Sequence, residues 1–120
     1  MTTPMPGREV RGSTTGRPLM AALDLFGRRW ILRILWELQE AGPLGFRPLQ
    51  QRCDGMSSSV LHQRLAELRE ARLVEQAPGT DYRLAPLGRQ ACAALAGLSQ
   101  WSESWAAELD GLDGGESTLR

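Results

Sequence analysis

The 120-residue chain predicts a mainly α-helical domain carrying one small β-hairpin. Three observations lead to that class. Residues 47–72, RPLQQRCDGMSSSVLHQRLAELREAR, place a short helix, a turn containing Gly55 and a longer amphipathic helix in immediate succession. Two short runs follow, 73–76 and 81–84, separated by Pro78-Gly79, which is hairpin chemistry. The flanking stretches 18–38 and 86–109 carry apolar residues at helical spacing.

Bulk properties set the frame. A chain of this length holds one domain and one modest core. Hydrophobic residues are 42% and charged residues 23%, an ordinary globular composition. No apolar run reaches bilayer length and the N-terminus lacks a signal-peptide core, so a cytoplasmic protein with no membrane partner is expected. Cys53 and Cys92 lie too far apart in sequence for a disulfide framework. With His62 the one histidine, neither a metal site nor a cofactor is expected. Zero net charge argues against a nucleic-acid binder, but its distribution matters more. Residues 17–92 hold eleven arginines against eight acids, a balance of +3, whereas 93–119 hold five acids and no base. A mildly basic body is compatible with DNA on one face.

Taken in order, residues 1–16 have little to bury and are rich in Thr, Pro and Gly, so a disordered tail is expected. Pro18 opens a first helix whose apolar residues are Leu19, Ala22, Leu23 and Phe26, and Gly27 closes it. The second helix, Trp30 to Leu38, is apolar around most of its girth. It is expected to be the central helix, with both of its tryptophans in the core. Ala41-Gly42-Pro43 stops it, and 44–46 is too short for more than a strand stub. Pro48 suits the first position of the short third helix, with Leu49 and Cys53 facing inward. Asp54 and Gly55 end it, Gly55 being free to adopt a left-handed conformation.

In the longer helix Leu61, Leu65 and Leu68 share one buried face. Ser59, His62, Gln63 and Ala66 fall opposite, and the first acids on the outer side are Glu67 and Glu70. Ser57, Ser58 and Ser59 can cap its first turn, whose free N–H groups also favour a phosphate. Two helices joined by a glycine turn form a helix-turn-helix. On this stretch alone, a DNA-reading pair and a generic helical hairpin both fit. The hairpin that follows reads as a wing with Arg83 on its outer face, which favours DNA. Pro86 starts the last helix, in which Leu95, Leu98, Trp101, Trp105 and Leu109 form an apolar stripe that so small a domain cannot cover. A second copy of the chain is the simplest partner. Residues 110–120, Gly-rich and acidic, are expected to fray.

The pattern resembles the HxlR-type winged helix-turn-helix transcriptional regulators of bacteria. The resemblance rests on LDLFGRRWILRILWEL (23–38), GPLGFRPLQQR (42–52), MSSSVLHQRLAELREARLVE (56–75), YRLAPLGR (82–89) and the Trp101–Trp105 pair. It implies a homodimer joined by first and last helices, two recognition helices in successive major grooves of double-stranded DNA, a repressor or activator role, and no enzymatic activity. Three departures stand out. Arg17 occupies the position where such proteins often carry a sensing cysteine. The wing is short. Ala85 stands where the family tends to place a capping Thr, a loss of ~1 kcal/mol.

The site expectations are then specific. Ser57, Ser58, Ser59, His62 and Gln63 face DNA, with Gln63 suited to a bidentate pair with adenine. Arg47, Arg52, Arg64 and Arg83 contact phosphates. Leu19, Leu23, Phe26, Leu95, Leu98, Trp101, Trp105 and Leu109 form the dimer interface. Two alternatives stand beside this. In one, a small aromatic effector sits at the interface against Phe26, Trp101 and Trp105. In the other, the winged fold serves protein interaction without DNA. An enzyme is not expected, since no catalytic triad, phosphate loop or carboxylate pair is visible.

Overall fold

The computed structural model describes residues 2–115, with side chains to residue 111. The elements run α1 (Pro18–Phe26), α2 (Ile31–Ala41), α3 (Phe46–Arg52), α4 (Ser58–Glu70), β1 (Val74–Gln76), β2 (Tyr82–Leu84) and α5 (Pro86–Gly115). This is a winged helix-turn-helix. The chain divides into two compact units, one ending at Gln90 and one beginning at Ala91 within α5.

The core of the first unit gathers Ile31, Ile34, Leu35 and Leu38 of α2, Leu49 and Cys53 at α3, and Leu61, Leu65 and Leu68 of α4. The i, i+3/i+4 spacing of each set aims it inward, so α2 is central as expected. The tryptophan expectation fails. Trp36 is 52% exposed, and Trp30 is half-buried at the turn before α2. The inward stripe of α2 is already filled by Ile and Leu, and Trp36 lies a full 100° beyond Leu35.

In α1 the buried side chains are Ala21 and Leu25, while Leu19 and Leu23 are exposed. Gly27 caps α1 in a right-handed conformation. The left-handed step falls instead at Trp30, with φ 78°. A β-carbon resists that geometry, so neighbouring contacts must hold it.

The short third helix begins at Phe46, with Gly45 as its cap, so Pro48 sits at its third position and not its first. The missing N–H of Pro48 still falls among the four donors that a helix start leaves unpaired. The exit is as expected. Asp54 and Gly55 both take positive φ, and Gly55 N–H donates back to Gln50 O at 2.9 Å. The wing is antiparallel, pairing Val74 with Leu84, Glu75 with Arg83 and Gln76 with Tyr82. Leu44 adds a single bridge to Tyr82, so the stub before α3 joins the hairpin edge.

Both terminal expectations need correction. Among residues 2–16, Thr3 and Pro4 are buried, Val10 and Ser13 form a bridge, and the Arg11 N–H donates to Asp24 Oδ2 at 3.2 Å. Tight turns at Gly7, Gly12 and Gly16, all with positive φ, fold the segment back on itself. At the other end α5 continues past 109 to Gly115. The remainder of the expected fraying tail, 116–120, lies outside the described residues.

Candidate nucleic-acid interface

The surface is built on α4. Ser57 takes an extended backbone and its Oγ accepts the Val60 N–H at 3.2 Å. Its hydroxyl therefore serves the helix first, as the N-cap. Ser58, Ser59, His62 and Gln63 are all exposed and fall within the first two turns. Leu61, Leu65 and Leu68 lock the opposite face into the core. The outward face is thus short, polar and free of acid where it begins, as a groove-entering helix requires.

Glu67 departs from expectation. It is 5% exposed and faces inward, not outward. Arg28 donates to its Oε2 at 2.6 Å, Arg64 to its Oε1 at 2.8 Å, and Gln63 Nε2 lies 3.4 Å from Oε2. Arg64 also donates from Nε to Arg29 O at 2.9 Å. The turn Gly27–Trp30 is therefore tied to α4 by two guanidinium groups, which is how the left-handed Trp30 is held. Arg28 in addition donates to Thr2 O at 2.6 Å, pinning the N-terminal segment. A buried acid between two arginines was not legible from helical phase, because phase places Glu67 about 100° beyond the leucine stripe, on the outer side of the helix.

The predicted phosphate contacts divide accordingly. Arg47 is exposed on α3, and its side chain makes no hydrogen bond or ion pair among the described residues. Arg52, itself half exposed, pairs at 2.9 Å with Glu37, whose side chain is only 12% exposed, while Arg83 pairs with Glu75 at 2.7 Å at the surface. The exposed Arg83–Glu75 pair is weak enough to exchange for a phosphate, whereas Arg52 shares with Arg33 a largely buried carboxylate. Arg64 has only 18% of its side chain exposed and is committed to Glu67 and Arg29. Glu37 also accepts from Arg33 Nε at 2.8 Å; that bond, and then Arg52, hold its carboxyl below the usual range. Two supports were missed by sequence. Phe46 stacks on His62, and Gln50 donates to Ser58 Oγ.

Six of the eight apolar residues assigned to an interface are exposed. Leu19 and Leu23 on α1, and Leu98, Trp101, Trp105 and Leu109 on α5, are each between 44% and 69% exposed. Phe26 and Leu95 are half-buried. Trp101 and Trp105 stack at 5.2 Å. A cleft of about 590 Å³ opens elsewhere, lined by Arg69, Arg72, Val74, Glu75 and Leu87 among others, and includes none of the residues assigned to an effector. Among the described residues there is no cluster of His, Cys, Asp and Glu able to hold a metal, and no helix long and apolar enough to cross a membrane. Burial raises the thiol pKa of both Cys53 and Cys92.

A model of the HxlR-like helix-turn-helix family matches residues 25–110. The chain belongs to the HxlR-like helix-turn-helix family. Solved structures agree. The quinone-bound YodB from B. subtilis is 28% identical, with a TM-score of 0.62, over 76% of this chain and 96% of that one. A transcriptional regulator of the MarR family from Enterococcus faecalis V583 is 29% identical, with a TM-score of 0.68, over 76% and 87%. The reduced form of YodB is 30% identical, with a TM-score of 0.59, over 74% and 89%. No curated protein matches the chain in sequence. As an HxlR-like protein with regulators as its structural neighbours, the chain is a DNA-binding transcriptional regulator.

Proposed function

We propose that the protein acts as a homodimer on a pseudo-palindromic operator, with α4 of each subunit in the major groove. The observation that carries this is the exposed, acid-free face of α4 led by Ser58, Ser59, His62 and Gln63 over a fully buried leucine stripe. Gln63 offers an amide that can pair with adenine N6 and N7, and the serines and His62 supply further hydrogen bonds to base edges. Ser57 keeps its capping role and leaves backbone N–H groups at the helix start for phosphate. Arg47 contacts phosphate directly, Arg83 by exchanging its surface acid, and Arg52 from its exposed part while it stays paired with Glu37. Arg64 holds α4 to the α1–α2 turn and does not touch DNA. The uncovered leucines of α1 and tryptophans of α5 supply the dimer contact, since apolar surface of that kind favours a partner.

The test is a gel-shift competition. Gln63→Ala should lose affinity for the operator and not for random DNA. Equal loss on both would remove the base-reading role. Failure of the wild type to retain any genomic fragment at low salt would favour a protein-interaction module instead.

A second function rests on the exposed Trp101–Trp105 stack and on the quinone in the YodB structure. A planar aromatic effector would insert against those rings at the dimer contact, alongside Phe26. Quenching of tryptophan fluorescence by a panel of planar aromatics is the expected result; no quenching leaves a dry interface.

A further inference from the structure

Two side chains of α3 each hold one side chain of the exposed face of α4. The Phe46 and His62 rings stack with centroids 4.1 Å apart and planes inclined by 23°. Gln50 Nε2 donates to Ser58 Oγ at 3.0 Å and to Met56 O at 2.8 Å. Phe46 and Gln50 lie one turn apart on α3, as Ser58 and His62 do on α4, so the pairs form two rungs between the helices. The core does not need these rungs. Leu49 and Cys53, fully buried, already seat α3, whereas Phe46 and Gln50 are half-buried.

We infer that Phe46 and Gln50 are positioning residues that preset His62 and Ser58 for base contact. The inference rests on the DNA-facing role of α4 given above. Its physical basis is rotamer freedom. An exposed side chain ordered only on binding loses conformational entropy at that moment, and one ordered beforehand does not. The stack fixes the imidazole plane while both ring nitrogens stay at the edge, open to hydrogen bonds. Because Gln50 donates to Ser58 Oγ, the Ser58 hydroxyl acts as an acceptor inward and keeps its proton for an acceptor on a base. Sequence discrimination by α4 therefore depends partly on α3, which itself touches no base edge.

His62 is the one histidine in the chain, so its ring protons can be followed without ambiguity by NMR. In the wild type they should appear upfield of free histidine and show nuclear Overhauser contacts to Phe46. Phe46→Leu keeps apolar bulk but removes the ring. It should return the His62 signals to the free position and reduce roughly tenfold the discrimination at whichever base pair His62→Ala no longer reads. Affinity for random DNA should not change. Phe46→Tyr should restore both, and Phe46→Leu should add nothing in a His62→Ala background. Gln50→Leu, with Ser58→Ala as its background, repeats the test should Phe46→Leu not fold. Free-position His62 signals in the wild type overturn the proposal, as does undiminished discrimination in both variants, or an equal loss with and without His62. A wild type that cannot tell operator from random DNA removes the DNA-facing role itself, whatever the His62 spectrum shows.

Discussion

A carboxylate enclosed in a small domain needs its charge met, and that of Glu67 is met twice, by Arg28 and by Arg64. Removing the acid alone would strand two largely buried guanidiniums. Glu67→Leu should therefore cost about 3 kcal/mol, read as a lower urea midpoint; a variant as stable as the wild type would show that the arginines find water instead. Gln63 lies one turn before Glu67 and makes only a long contact to it at 3.4 Å, so its amide is free to turn toward DNA. Gln63→Ala should cost ~1–3 kcal/mol at one base pair and leave the others unchanged, measured by titrating single-substituted operators. Cys53, wholly buried, keeps its proton because desolvation disfavours the thiolate. Alkylation at neutral pH should be slow and should track unfolding; rapid modification of the native protein would contradict this placement. With a raised folded-state value, the protonated thiol adds its full stability below the ordinary thiol pKa. That contribution is lost as pH rises through the raised one.

Among the elements, α3 is fastened to α2 through Glu37, which accepts from Arg33 and Arg52. The carboxyl is held below its ordinary value of 4.5. Its stabilising contribution is thus complete above that value and fades as pH falls through the lower folded one. Glu37→Gln should flatten the acid limb of a stability–pH curve; an unchanged limb would show that the charge is not used. In the wing, Arg83 opposes Glu75 directly across the hairpin, so Glu75 competes with any phosphate. Arg83→Ala should flatten the dependence of log affinity on log salt by about one. Glu75→Gln, which frees Arg83, should tighten binding on every sequence. How far the elements were legible depends on what encodes them. Leucine spacing in α4 and α2, the serine cap and the Pro-Gly hairpin act locally, so element order followed from sequence. The inward turn of Glu67, the stack of Phe46 on His62 and the packing of residues 2–16 depend on partners 13 to 62 positions distant along the chain, and no local period reports them. Trp36 misled for a related reason: hydrophobicity marks what can be buried, not which part of a nearly all-apolar girth finds a neighbour.

At the scale of the molecule, the proposed homodimer gives a use to the apolar faces of α1 and α5 and to the polar face of α4. A helix-turn-helix reads a few base pairs, and two copies held by a two-fold axis double the contact and fix its spacing. Leu23→Glu should put a charge into the subunit contact, give a monomer by sedimentation and lower operator affinity at least tenfold. A dimer that survives it would move the contact off α1. The most direct measurement is hydroxyl-radical footprinting on a fragment retained from genomic DNA. Two protected patches centred roughly 34 Å apart, or a multiple of that, each lost when Gln63 and His62 are both replaced by Ala, are the predicted result. A single patch, or protection that outlasts those replacements, would contradict a paired recognition helix.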